Sequence, residues 1–495
     1  MQGPYEQYTM AYLAHTGEPM DRNVNDATPE TGCGDRAATG FARALADRSS
    51  ALRWGDLPAE AVHWARVGLL DTLGVTLGGS REPAPLIASQ ALDLASGPAL
   101  LLGHTRRTGP LDAALVNGTA AHALDFDDSN NTMGGHPSAP VLSALLPLAQ
   151  ECGAGGRDFI TAYVAGFEVE CKVALAVNFH HYQKGWHPTA TLGVFGAAAA
   201  CARLMGLDAQ RTATALALAA SFASGLKANF GTMAKPLHVG HCARNGLLAA
   251  RLAQRGFTAN TVNVFEHEQG FLDVLNGPGT YDTARAVAAW AAPLDIVSPG
   301  IAIKQYPCCG STHPAIDALL GLVRQHGWAP GDIDRIEAWI YPRRLKHTNR
   351  PQPGSALDAK FSLQYVLARA VVDGHVALEH FEGQAHEDPV VRALLPRVDV
   401  AAYDDTLFDA SNHFAAAVRV TLRDGSVHEN RVEQALGRTS ANPLPQPLLE
   451  AKFALCAGRV LQPRALAAIP EMVQHIDKLD DLRQLTRELA DVLPA

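Results

Sequence analysis

Several features are scarce in this chain, and each absence excludes a class of protein. No apolar run approaches the ~20 residues that a transmembrane helix needs. The segment from Met1 to Thr39 lacks the basic start and apolar stretch of a secretory signal. No dense basic run is present, and the formal net charge of -9 argues against nucleic acid as a partner. We therefore expect a cytoplasmic protein that binds neither a membrane nor nucleic acid.

Cysteine is also sparse, with 8 in 495 residues, which favours reduced thiols over a disulfide framework. Cys308 and Cys309 are adjacent and lack the spacing of a zinc site, so we expect no structural metal there. Internal repeats, heptads and a glycine-rich phosphate loop are absent as well. Gly193, Gly196 and Gly206 lie among alanines, and we expect them to serve helix packing instead.

The length and a hydrophobic content of 47% predict two domains with large cores. Apolar residues recur at helical spacing from Pro58 until Gly78 and Gly79 end the pattern. Further helices are predicted over 113–123, 139–150, 159–177, 190–205, 211–226 and 242–254. Several are alanine-rich on all sides, which is typical of helices packed on more than one face.

The pattern changes after Pro299. Residues 335–341 and 416–422 alternate like strands, and Asp424-Gly425 predicts a hairpin turn. Helices are expected over 313–326, 362–372 and 389–395, and again over 448–461 and 479–493. The predicted fold is mainly α with an inserted α+β domain. Its parts are a flexible extension (1–39), a helical domain (40–298), an α+β lid (299–434) and a helical return (435–495).

Four residues next to proline or in glycine-marked segments indicate the chemistry. His136 and His187 each precede a proline, Lys235 precedes Pro236, and Lys304 begins Lys304-Gln305-Tyr306-Pro307. Imidazoles transfer protons near neutral pH, and two ammonium groups can hold a substrate with more than one carboxylate. The combination indicates proton abstraction beside a carboxylate.

Three carboxylates precede His136. Asp125, Asp127 and Asp128 could bind a cation, orient a histidine, cap a helix or lie in a solvated loop. We expect Asp125 to face inward while Asp127 or Asp128 caps. His187 comes directly before a predicted helix, whose N-terminus would lower its pKa; the alternative is a buried histidine bonded to backbone carbonyls.

Three further segments leave alternatives open. Lys235 precedes proline, which predicts an extended turn; the alternative is a surface lysine. The segment from Lys304 to His313 lies at the predicted domain junction, where Cys309 could act as an acid or a nucleophile, or the segment could be a plain linker with a helix cap. Arg350 could bind a carboxylate through its fork, or it could be exposed.

An ordered series of segments resembles the MmgE/PrpD family. The segments are Leu70-Asp71-Thr72-Leu73-Gly74, His122-Ala123-Leu124-Asp125-Phe126-Asp127-Asp128, His136-Pro137-Ser138, Gly185-Trp186-His187-Pro188-Thr189, Lys235-Pro236-Leu237-His238-Val239-Gly240, Lys304-Gln305-Tyr306-Pro307 and Ala359-Lys360-Phe361-Ser362-Leu363-Gln364-Tyr365. The resemblance implies a helical domain built from both chain ends, an inserted lid domain, a homodimer and cofactor-free catalysis in the cleft between the domains.

The resemblance also implies site residues. It carries over Asp125, His136, His187, Lys235 and Lys304 to catalysis or substrate binding, with Ser129 where the family's decarboxylase has threonine. We also expect Tyr306 to contact the substrate. The loop with His136 is one residue longer here. Cys309 stands where the decarboxylase has a histidine, and His347 lies near the position of a tyrosine.

The leading hypothesis is a cofactor-independent lyase or isomerase acting on a small di- or tricarboxylate by dehydration, decarboxylation or epimerisation. Lys235 and Lys304, with Arg350, would bind carboxylates, a histidine would transfer the proton, and Asp125 would orient that imidazole. One alternative is a metal-dependent hydrolase; its ligands would be Asp127, Asp128, His238 and His241. The other is a noncatalytic carboxylate-binding paralogue, suggested by Cys309 and His347.

Overall fold

The structure is a computed structural model that describes residues 40–409 and 412–494. The predicted flexible extension over 1–39 lies outside the described residues. Most of the described chain is helical, and a small sheet region accompanies the helices. The predicted fold class, mainly α with some α+β, is confirmed at this level. Among the described helices, none has both the length and the apolar character that a bilayer crossing requires.

Helices fill the first part of the described chain. They are α1 (Phe41–Ala51), α2 (Ala59–Gly79), α3 (Pro83–Gln90), α4 (Pro110–Ala123), α5 (Ser138–Cys152), α6 (Gly156–Val177), α7 (His180–Lys184), α8 (Pro188–Thr191), α9 (Gly193–Leu204), α10 (Ala209–Phe222), α11 (Ala234–Gln254) and α12 (Thr283–Ala288). A short antiparallel pair, β1 (Ala99–Leu100) and β2 (Arg107–Thr108), precedes α4. Each helix predicted here is present, although the segment over 190–205 forms two helices and α11 begins eight residues earlier than predicted.

Helix α9 shows why the alanine-rich segments have no exposed face. Every residue from Gly193 to Ala202 is buried. A Cβ atom on Gly196 would lie 2.5 Å from Oε2 of Glu170, so glycine permits the close approach of α9 to α6. Gly206 does not serve packing as predicted. Its φ of 65° lies in the left-handed region, and it follows the end of α9, where glycine ends helices without steric strain.

The second part of the chain contains the four-stranded sheet. Its strands are β3 (Ile333–Ile340), β4 (Val398–Ala402), β5 (Ala416–Leu422) and β6 (Val427–Val432), in the order β4-β3-β5-β6. The β5–β6 hairpin turns at Asp424-Gly425 as predicted. The helices around the sheet are α13 (His313–His326), α14 (Pro342–Thr348), α15 (Ala356–Ala359), α16 (Leu363–Asp373) and α17 (Pro389–Leu394).

Two large hydrophobic clusters organise these elements. The first runs from Phe41 to Ile303 and takes up residues of the last helices, which are α18 (Gln446–Ala457), α19 (Pro463–Gln474) and α20 (Arg483–Glu488). Phe453 of α18 packs on α2 so closely that a Cβ atom at Gly74 would lie 3.1 Å from its ring. The second cluster surrounds the sheet. The C-terminal helices thus return to the first cluster, while the predicted domain boundaries stay a prediction.

Candidate active site

The loop between α4 and α5 holds the three aspartates. Asp125, Asp127 and Asp128 are all buried, so the solvated-loop interpretation is wrong. Asp128 accepts a hydrogen bond of 3.3 Å from the backbone N–H of Ser138, at the start of α5, which agrees with a capping role. Asp125 has a φ of 53°, a left-handed conformation that is uncommon outside glycine. The loop therefore directs its carboxylates into the protein.

Asp125 binds two lysines from distant parts of the chain. Nζ of Lys235 lies 2.5 Å from Oδ1 of Asp125, and Nζ of Lys304 lies 3.1 Å from Oδ2. Burial disfavours the ionised carboxyl, but the two ammonium groups hold the pKa of Asp125 well below its usual range. Burial opposes the charged form of Lys304 too, yet Asp125 raises its pKa. Asp125 and Lys304 are therefore both charged near neutral pH.

Lys235 reaches this cluster from a helix. It lies in the first turn of α11, which begins at Ala234, so the predicted extended turn before Pro236 is wrong. Proline is tolerated in the first turn because its missing N–H would have no partner within the helix there. Lys235 is also buried, which excludes the surface-lysine interpretation.

Three consecutive backbone carbonyls around Asp125 each accept a hydrogen bond from a lysine. Lys360 donates to Leu124 (2.6 Å), Lys304 to Asp125 (2.6 Å) and Lys452 to Phe126 (2.7 Å). Lys452 also pairs with Asp71 of α2 at 2.6 Å. The loop is thus held by Lys452 of α18, by Lys360, which follows α15, and by Lys304.

Asp127, and not Asp125, contacts the imidazoles. Its Oδ2 lies 2.8 Å from Nδ1 of His122 and 3.3 Å from Nδ1 of His136. Burial opposes ionisation of Asp127, but the imidazoles hold its pKa well below the usual range through charge and hydrogen bonds. The predicted orienting role of Asp125 is therefore wrong. The backbone N–H of His136 donates to Oγ1 of Thr189 at 3.1 Å, which fixes the loop against α8.

His187 extends this group of imidazoles. Its ring centroid lies 5.5 Å from that of His122, and its Nδ1 lies 3.3 Å from Nδ1 of His238. The pKa of His187 is well below its usual value, chiefly because the ring is buried and further because neighbouring groups carry positive charge. The predicted direction is confirmed, and burial is the main cause. Burial likewise lowers the pKa of His122 to about 3.

The residues proposed for a metal-dependent hydrolase do not form one cluster in the described part of the chain. Asp128 bonds to Ser138, His238 faces His187, and His241 is exposed beside Asn245. A different set of donors does converge. His122, Asp127 and His136 can each offer one ligand atom, and these atoms lie within 4.8 Å of one another.

A cleft borders the Asp125 cluster. Its walls include Ser129, Lys304, Gly310, His313 and Arg438. Nη1 of Arg438 donates to Oγ of Ser129 at 3.2 Å. Ser129 and Lys304 therefore line the same cleft, and their predicted role in substrate binding stays a prediction.

Cys309 and His347 lie together near this cleft. Burial would raise the pKa of the Cys309 thiol, but a hydrogen bond from His347 and its charge lower it to about 6. His347 also contacts Oγ of Ser311 at 3.2 Å. The two positions that depart from the family pattern thus form one interacting pair.

Two predicted substrate-binding residues have their side chains engaged elsewhere. The phenol of Tyr306 donates to Asp317 at 2.6 Å, and its ring is part of the second hydrophobic cluster. The guanidinium of Arg350 pairs with Asp358 and stacks 5.3 Å from the ring of Phe361. The structure does not bring either side chain to Asp125.

Sequence reasoning missed several residues of the site. His122 and Lys360 lie in segments that carry the family resemblance, which was a signal for both, although no role could be read from it. Lys452 comes from helical sequence with no proline or glycine beside it, and Arg438 follows Gly437 in a loop that belongs to none of the motifs described above. Only their tertiary contacts reveal them.

A mostly helical fold that gathers lysines, imidazoles and carboxylates around one buried loop is an arrangement typical of enzymes that bind anions and transfer protons. Residues 43–284 match the MmgE/PrpD N-terminal domain, and residues 306–478 match the MmgE/PrpD C-terminal domain. The chain belongs to the MmgE/PrpD family.

Curated relatives cover most of the chain. The chain is 31% identical over 456 residues to the cis-aconitate decarboxylase of Homo sapiens, covering 90% of this chain and 93% of that protein. It is 27% identical over 475 residues to the cis-aconitate decarboxylase of Aspergillus terreus, covering 91% and 96%. A cis-aconitate decarboxylase-like protein of Aspergillus oryzae is 28% identical over 486 residues, covering 93% and 98%.

Proposed function

We propose that the protein is a cofactor-independent lyase that acts on a small tricarboxylate by proton transfer next to a carboxylate. The observation that carries this proposal is the convergence of Lys235 and Lys304 on buried Asp125, at the cleft and within electrostatic reach of His136. The homodimer and the cytoplasmic location stay predictions.

The lysines supply the binding and the charge stabilisation. Lys235 and Lys304 are buried cations that share one carboxylate, so the three side chains together keep a net positive charge. A substrate carboxylate at the cleft would offset that charge. The same ammonium groups would stabilise the negative charge that develops on the neighbouring carbon as carbon dioxide or a proton leaves.

His136 is the proposed proton carrier. Its side chain is 15% exposed, whereas the side chains of His122 and Asp127 are fully buried. Asp127 would hold the His136 ring in position through Nδ1 and leave Nε2 for the substrate. His187 lies behind this group, packed on Phe230 at a ring distance of 4.9 Å, and would shape the site through His122.

The names of the relatives make decarboxylation of cis-aconitate the first reaction to test. The Cys309–His347 pair favours dehydration or epimerisation as a second candidate reaction, because the pair adds a second proton carrier near the cleft. Dehydration requires an acid for the leaving hydroxyl, and epimerisation requires an acid and a base on opposite faces. Decarboxylation requires one proton donor.

Proton NMR in deuterium oxide tests the proposal with cis-aconitate, 2-methylcitrate and iminodisuccinate as substrates. Decarboxylation, dehydration and deuterium exchange at the α-carbon each give a different spectrum. We expect turnover of at least one substrate. Binding of these acids without any turnover or exchange would favour the noncatalytic paralogue.

Two variants with matched controls test the residues. We expect His136→Asn to lower turnover by ~100-fold or more, since general acid–base catalysis contributes at least that much. His63→Asn, on the exposed face of α2, is the control. Lys235→Met should lower turnover comparably, whereas Lys346→Met, exposed on α14, should not. Normal activity of both site variants would remove the assigned roles.

A further inference from the structure

Two arginines enclose one aromatic ring near the cleft. The guanidinium carbon of Arg344, on α14, lies 4.8 Å from the ring centroid of Phe414, and that of Arg438 lies 4.7 Å from the same centroid. Arg344 comes from the helix after β3, and Arg438 follows β6. The fold therefore brings two like charges to the same small region.

Neutral groups alone bond to these guanidinium groups within the described residues. Arg344 donates to the carbonyl of His413 (2.6 Å) and to Oγ of Ser311 (3.1 Å). Arg438 donates to Oγ of Ser129 (3.2 Å) and to Oδ1 of Asn131 (2.8 Å). The Nε atom of Arg438 is buried and has no hydrogen-bond partner in the described chain.

Most of the buried lysines and arginines in the described chain have acidic partners. Lys172 pairs with Glu168 and Asp295, and Lys452 pairs with Asp71. A buried charge without a counter-charge is unfavourable, so an unpaired arginine pair indicates a place for an anion. Burial first, and then the charge of Arg344, lowers the pKa of Arg438 to about 9. The Cys309 thiolate can offset only one of the two charges.

The position of Arg438 connects this pair to the proposed active site. Arg438 and Lys304 line the same cleft. Ser129 lines it too, and its hydroxyl oxygen accepts a hydrogen bond from Arg438. Lys304 in turn contacts Asp125. A substrate with one carboxylate at the lysines can therefore present another to the arginines.

We propose that Arg344 and Arg438, stacked on Phe414, form a second carboxylate-binding site that selects substrates with a third carboxylate. The inference rests on the proposed function and names the part of the substrate that sets specificity. The planar guanidinium fork suits bidentate binding of a carboxylate, and the hydroxyls of Ser129 and Ser311 add hydrogen-bond donors.

Calorimetry on the full-length protein with two unreactive acids tests the site. Tricarballylate and glutarate share a three-carbon backbone between their outer carboxylates, and tricarballylate carries a third carboxylate. We expect the protein to bind tricarballylate roughly 10-fold or more tightly, since hydrogen bonds to charged groups contribute at this level. Arg438→Met and Arg344→Met should each reduce this preference strongly while the affinity for glutarate stays unchanged.

The controls separate charge, geometry and folding. Arg438→Lys keeps the charge but loses the fork, so we expect a preference between those of the wild type and Arg438→Met. Arg335→Met, at an exposed arginine of β3, should retain the full preference. Thermal unfolding checks that each variant is folded, and two separate arginines keep the test valid if one variant is not.

The outcomes distinguish this inference from the proposed function. Equal binding of the two acids by the wild type, or a preference that survives in both arginine variants, overturns the second carboxylate site. If the variants lose the preference but the wild type turns over no substrate, the proposed function fails while the binding site stands.

Discussion

Nζ of Lys360 donates a hydrogen bond of 2.6 Å to the carbonyl oxygen of Leu124, the residue directly before Asp125. Burial lowers the pKa of Lys360 to about 8, although the charge of Asp125 opposes this shift. Lys360 is therefore mostly charged below that pH and mostly neutral above it. In contrast, Asp125 holds the pKa of Lys304 above its usual value. The charge of Lys360, next to Asp125, thus changes as the pH passes through about 8.

We expect the affinity for tricarballylate to fall as the pH rises through about 8, because Lys360 then loses its charge near Asp125. Calorimetry across that pH range measures the effect, since the ligand is fully ionised there. Lys360→Met should bind with the weaker affinity at every pH, and Lys360→Arg should keep the stronger affinity to higher pH. A flat wild-type profile would contradict the assignment, and exposed Lys346→Met serves as the control.

Substitution by asparagine should affect two adjacent aspartates of the α4–α5 loop, Asp127 and Asp128, to different extents. Asp127 is held ionised by its imidazoles, whereas burial raises the pKa of Asp128 well above its usual range. Asparagine resembles the neutral acid, so we expect Asp128→Asn to change the free energy of unfolding by less than about 1 kcal/mol. Asp127→Asn should cost about 1–3 kcal/mol and lower turnover by ~100-fold.

Denaturant unfolding and turnover assays measure both variants under the same conditions. The contrast is informative because the two side chains lie in one loop and are equally buried. Equal losses of stability would show that Asp127 has no special partner. Full turnover in Asp127→Asn would remove its role in positioning His136.

Part of the fold and of the site could be predicted from the sequence. Apolar spacing predicts the helices because side chains on one face of a helix recur every three to four residues. The alternation over 416–422 predicts β5 because successive side chains of a strand point to opposite faces of the sheet. His187 and Lys304 stand out because a proline follows each of them closely in an alanine-rich background. The structure places Lys304 against Asp125, while its role in substrate binding stays a prediction.

The rest depends on tertiary contacts that local sequence does not encode. Asp127 contacts the imidazoles, whereas Asp125, whose backbone is left-handed, contacts the lysines, and the spacing alone does not distinguish the two aspartates. Proline is also tolerated within the first turn of a helix, so the helical backbone of Lys235 could not be inferred from Pro236. Arg344 and Arg438 meet only because the fold brings α14 and the segment after β6 to Phe414.

Removal of divalent metals should leave turnover unchanged. His122, Asp127 and His136 are close enough to ligate a metal, yet His122 and Asp127 already form a hydrogen bond of 2.8 Å, and the lysines supply positive charge for catalysis. Elemental analysis of the purified protein, with turnover before and after treatment with a chelator, measures this. A stoichiometric metal whose loss abolishes activity would contradict the cofactor-independent proposal.

The Cys309 thiol should react with iodoacetamide at lower pH than Cys152, an exposed thiol in the described part of the chain. The thiolate is the reactive form, and His347 lowers the pKa of Cys309 to about 6 against the effect of burial. Its alkylation rate, followed by mass spectrometry of the peptide, should therefore rise through about pH 6 and level off above it. Exposed Cys152, whose pKa burial raises, is the internal control. His347→Gln should move the inflection of Cys309 upward; an unchanged inflection would show that His347 does not stabilise the thiolate.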